Sequence, residues 1–104
     1  MTTNRIIETL INEKNYDRVQ TEKVESKIDS LSSDIKEALI DFVESGNLTS
    51  PEYSGYTVER ILKAKPGMTE LGAYLALDWI RREPKTAIKA IITPVMKFTP
   101  KVKE

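Results

Sequence analysis

The chain has 104 residues and a mass of 11.8 kDa, a natural size for one domain, and its 16 basic and 16 acidic side chains leave a formal net charge of zero. It contains no cysteine and no histidine, which excludes disulfides, metal sites built on thiolate or imidazole, thiol nucleophiles and imidazole proton transfer. Hydrophobic residues make up 39% and charged residues 31%, a composition that folds.

The opening segment MTTNRIIETLINEKN has Arg5, Glu8 and Glu13 among its apolar residues, so it carries no apolar core of a signal peptide. No run approaches the roughly 20 apolar residues of a membrane span, and the expectation is a soluble, cytoplasmic protein. Ile6, Ile7, Leu10 and Ile11 recur at helical spacing and predict a first helix over about 3–14, broken at Asn15-Tyr16. Asp17 and Gln20 are spaced as a capping box for a second start. From there Val24, Ile28, Leu31, Ile35, Ala38 and Phe42 step by four and three, an a/d seam that predicts helix against helix. Leu31-Ser32-Ser33-Asp34 interrupts the seam with cap-forming residues, giving helices over about 18–30 and 33–45, with one long bent helix as the alternative.

Gly46 suits the left-handed position that ends a helix, and Asn47 to Tyr56 is rich enough in turn formers to predict an irregular loop. Thr57 caps a short helix with Val58, Ile61 and Leu62 on one face, stopped by Pro66-Gly67. Thr69 caps the next, over about 69–82, where Leu71, Gly72, Leu75, Ala76, Leu77, Trp79 and Ile80 sweep most of the helical wheel. A helix so apolar belongs in the middle of its domain. Pro84 opens a last helix through Ile92, with Ala87, Ile88, Ile91 and Ile92 inward and Lys85 and Lys89 outward, ended by Thr93-Pro94. Period-two alternation is confined to Val95, Met96 and Phe98. The fold class read from this is all-α: five or six short helices around a central apolar helix at about 69–82, forming a single helical domain over 1–93, followed by a Pro/Lys-containing C-terminal tail over 94–104.

Zero net charge conceals two poles. Residues 1–52 hold six Lys/Arg against eleven Asp/Glu, net −5, and residues 53–104 hold ten against five, net +5. The basic half either meets an acidic partner or a phosphate backbone, or neutralises the acidic half within the molecule; overall neutrality favours the second.

Candidate sites follow from side-chain type and spacing. Asp34, Glu37, Asp41 and Glu44 form an acidic stripe opposite Ile35, Leu39 and Phe42, suited to a basic partner or to plain solvation. It does not suit calcium, whose ligands converge from a loop. Tyr53 and Tyr56, flanking Ser54-Gly55, are either interface anchors or a lid over the core. Asp78 falls on the apolar side of the central helix and needs a partner, which Arg82, one turn on, supplies as a structural ion pair, with Arg81 or Tyr74 adding a hydrogen bond; the alternative is a pocket in which Asp78, Arg82 and Trp79 hold a small ligand or act as an acid/base pair. Gly72 and Ala76 are spaced for close approach of another helix. A basic face of Arg81, Lys85, Lys89, Lys97 and Lys101 could hold phosphates without reading sequence.

A helix-turn-helix reading, with 57–65 followed by 69–82 as recognition helix, fails chemically. Thr69-Glu70-Leu71-Gly72 would offer a carboxylate and apolar groups where base edges and phosphates require Arg, Lys, Asn or Gln. No phosphate-loop, dinucleotide, nucleophile-elbow or metalloprotease motif occurs, so no catalytic residue, metal or cofactor is expected. The functional expectation is a protein–protein interaction module of adaptor, inhibitor, immunity or antitoxin character, monomeric or homodimeric. A nucleic-acid-binding or regulatory protein using the basic C-terminal third is the alternative.

Overall fold

The computed structural model describes residues 2–92, so the tail over 94–104 lies outside the described residues. The fold is all-α, with seven helices and no strand among the described residues: α1 (Thr3–Lys14), α2 (Arg18–Lys23), α3 (Glu25–Asp29), α4 (Ser33–Ser45), α5 (Val58–Ala64), α6 (Glu70–Arg82) and α7 (Pro84–Ile91). Among the described residues no helix is long and apolar enough to cross a membrane. The helices fall into two compact units, the first ending at Pro51 and the second beginning at Glu52.

In the first unit α1 is the common neighbour of α2, α3 and α4. Thr2 caps it by accepting the Arg5 N–H, and Asn15 ends it in the left-handed region at φ 61°. Ile6, Ile7 and Leu10 of α1 are buried with Ile28, Leu31, Ile35, Leu39, Phe42 and Val43. Most of the expected seam is therefore filled within one chain, although Val24 and Ala38 stay half-buried. The expected helix over 18–30 is two helices, because the backbone turns at Val24 (φ −104°, ψ 15°) between α2 and α3. Helix α4 is separate from both and begins and ends within the expected range. Gly46 closes it at φ 79°, donating its N–H to the Phe42 carbonyl.

In the second unit α6 packs against both α5 and α7. It buries Leu71, Ala73, Tyr74, Ala76, Leu77, Asp78 and Ile80, against Val58 and Ile61 of α5 and Ala87 of α7. The hydroxyls of Thr57 and Thr69 accept the Arg60 and Gly72 N–H groups and set where α5 and α6 begin. Ile88, Ile91 and Ile92, expected to face inward, are half-buried. Among the described residues no other helix makes the close approach expected at Gly72. A methyl group there would lie 3.1 Å from Met68 Cγ and 3.2 Å from Thr69 Oγ1, so side chains just before α6 fill the space.

Candidate functional site

Three groups of side chains stand out, and the least chemically available is the buried carboxylate. Asp78 is only 5% exposed, and both following arginines reach it. Arg81 donates from Nε and Nη2 to Oδ1, each at 3.0 Å, and Arg82 donates from Nε to Oδ2 at 3.1 Å. Arg81 and Arg82 sit three and four residues after Asp78, so the α-helical turn itself brings both guanidiniums onto one carboxylate. No buried side-chain polar atom lacks a hydrogen-bond partner among the described residues. This arrangement neutralises a buried carboxylate and leaves neither of its oxygens without a cationic donor. The expected partner Arg82 is present, and Arg81 shares the task as an ion-pair partner, which also commits one member of the expected basic face to a local role.

The remaining basic residues lie on α7. Lys85 and Lys89 are exposed one turn apart, with no ion pair among the described residues, whereas Lys97 and Lys101 lie outside those residues. The helix over 69–82, already rejected chemically as a recognition helix, is the buried centre of its unit, so its sides are covered by α5 and α7 and are not free to enter a groove.

On α4, Glu37 and Glu44 are exposed and Asp41 is half-buried, one turn apart along the helix, and none forms an ion pair among the described residues. Asp34 has a local role: its Oδ1 accepts from the Ser32 hydroxyl at 2.6 Å and from the Ile35 N–H at 2.8 Å, at the start of α4. The working stripe is therefore Glu37, Asp41 and Glu44. No group of three or more acidic side chains converges as a metal site among the described residues.

The third group is a turn closed by main-chain hydrogen bonds. Tyr53 and Tyr56 exchange both main-chain hydrogen bonds, each N–H donating to the other's carbonyl at 2.9 Å. Between them Ser54 and Gly55 both have positive φ, 52° and 84°, the signature of a two-residue type I′ hairpin turn. The loop expected to be irregular from 47 to 56 therefore ends in a miniature hairpin. Residues opposed as a hydrogen-bonded pair carry their side chains on the same face of the ribbon, so the two half-buried tyrosines form one surface.

Arg60, on the first turn of α5, holds this hairpin from its tip. Its Nη1 donates to the Gly55 carbonyl at 2.6 Å, and its guanidinium carbon stands 4.5 Å from the centroid of the Tyr56 ring. Sequence reading missed Arg60. The sequence carries only a faint signal for it, a Ser-Gly pair between two tyrosines and an arginine four residues after the second.

No known family model matches the chain, and no curated protein or solved structure is similar to it.

Proposed function

We propose that the protein is an interaction module that recognises another protein through the Tyr53/Tyr56 hairpin, with the α4 face of Glu37, Asp41 and Glu44 as a second, charge-selective surface. The observation that carries this reading is the tyrosine hairpin. Two tyrosines share one face of a turn whose backbone is fixed by paired hydrogen bonds and by Arg60. Such residues supply large contact area at small entropy cost, and a turn already ordered before binding reduces the cost further. The carboxylates of α4 add electrostatic selection, favouring a basic patch on the partner and raising its association rate.

Two variants test the reading by affinity capture from native lysate at near-physiological salt. Tyr53→Ala with Tyr56→Ala is expected to lose a stoichiometric protein partner while keeping the helical circular dichroism of the wild type. Charge reversal at Asp41 and Glu44 is expected to slow association and weaken capture in proportion. Undiminished capture by both variants would refute the proposed surfaces.

A second reading, phosphate contact through the α7 lysines, rests on Lys85 and Lys89 being exposed one turn apart. Lys85→Glu with Lys89→Glu would then abolish a nucleic-acid interaction whose affinity falls steeply with salt.

A further inference from the structure

We propose that the Tyr56–Arg60 stack is a subsite for one carboxylate of the partner protein, an aspartate or glutamate side chain in an acidic peptide segment; this deepens the interaction reading above and rests on it.

The chain has five arginines, and their surroundings differ in one telling respect. Arg18 is bound to Glu8 and Glu22, and Arg81 and Arg82 are bound to Asp78. Arg5 is exposed, with no side-chain hydrogen bond or ion pair among the described residues. Arg60 alone among the described arginines is held in place by neutral groups, the Gly55 carbonyl and the Tyr56 ring, with no carboxylate at ion-pair distance among the described residues. Two neutral contacts position its guanidinium, and no ion pair engages it among the described residues.

The bond to Gly55 uses Nη1 and leaves the Nε–H and Nη2–H edge, the pair of parallel donors that receives a carboxylate side-on. Since Arg60 is exposed, that edge is available without unfolding anything. Contact with the Tyr56 ring and the bond to the turn backbone restrict the rotamer freedom that a free arginine loses on binding. A single carboxylate fits better than a phosphate backbone. Only Lys63 stands one turn away on α5, while Glu59 precedes Arg60 and Glu52 precedes the hairpin, so the local field suits one negative charge and not a run of them.

The test uses the intact 15N-labelled chain and reads the arginine Nε–H resonances during titration at constant ionic strength. The probes are the capped tripeptide acetyl-Gly-Glu-Gly-amide, its glutamine counterpart and inorganic phosphate. The glutamate peptide is expected to move the Arg60 Nε–H and the Tyr56 ring resonances saturably, with the Arg5 Nε–H nearly still, and the glutamine peptide to move neither. Arg60→Lys keeps the charge but loses the parallel edge, and is expected to weaken binding about tenfold. Tyr56→Leu leaves the arginine and removes the ring beneath it, for a loss of about threefold. An Arg60 resonance that moves no further than that of Arg5 would overturn the proposal, as would tighter saturation by phosphate than by the glutamate peptide. If Arg60 stays silent while the tyrosine pair is still required for capture, the carboxylate subsite falls and the interaction reading stands.

Discussion

Both units use arginine–carboxylate contacts to join structure, at opposite depths. In the first unit Arg18, at the start of α2, reaches back to Glu8 of α1 with both terminal nitrogens, at 3.0 and 3.2 Å, and forward to Glu22 at 3.1 Å. All three side chains are 39–51% exposed, so water already satisfies them and the network adjusts stability without being required for it. In the second unit the same chemistry is applied to Asp78, whose side chain is 8% exposed at the centre of α6. There the ion pairs are obligatory, because a buried carboxylate without a cation costs far more than the pair contributes. Burial, not bond length, decides what such a contact is worth, since the distances in the two networks are nearly equal.

The largest effect is expected at Asp78. Removing both cations, Arg81→Ala with Arg82→Ala, strands the carboxylate and is expected to destabilise the second unit by about 3–5 kcal/mol in urea unfolding. Arg82→Ala alone, with Arg81 still in place and a side chain already half in water, should cost about 1 kcal/mol. Additive single effects that reach the double would mean that Asp78 finds other compensation. Next come the two hub helices. Leu10→Ala in α1 and Leu77→Ala in α6 each remove a fully buried side chain, for about 2–5 kcal/mol. Hydrogen exchange should accelerate chiefly at α3 and α4 amides in the first variant and at α5 and α7 amides in the second. Equal acceleration everywhere in both would merge the units into one cooperative block.

Smaller effects sharpen the contrast. Gly55→Ala places a Cβ on a residue at φ 84°, with contact to Arg60 Nη1 only at the ordinary distance of 3.5 Å, so the expected cost of about 1 kcal/mol is conformational. It should appear as faster exchange of the Tyr53 and Tyr56 amides with α6 unaffected. The smallest effect is expected at Glu8, which hydrogen bonding to Arg18 holds below the ordinary carboxylate value of 4.5. A depressed folded-state pKa contributes stability above the unfolded value, lost as pH falls through the folded value. Glu8→Gln should therefore melt slightly below wild type at neutral pH, with the gap closing below about pH 4.5. A gap that persists at low pH would assign the loss to packing.

Much of this was legible from local chemistry. Thr57, Thr69 and Asp17 cap helices through their side-chain oxygens, Gly46 ends one, and Pro84 opens another, because each role depends on a few neighbouring atoms. The buried position of Asp78 was readable too, since Leu71 and Leu75, seven and three residues before it, share its helix face. The turn at Val24 was not, because no glycine or proline marks it and its dihedral angles answer to the packing of α2 and α3 on α1. Nor was the role of Arg60, which depends on a type I′ turn placing Gly55 beneath it. A turn with positive φ at serine is written only faintly in residue type.

The most direct test of an interaction module built on the tyrosine hairpin is affinity capture from native lysate, run with and without nuclease, comparing wild type with Tyr53→Ala/Tyr56→Ala. The account requires a stoichiometric protein that survives nuclease with wild type and is missing with the variant. Capture that vanishes on nuclease treatment, and that the tyrosine variant retains in full, would contradict it and shift the function to Lys85 and Lys89.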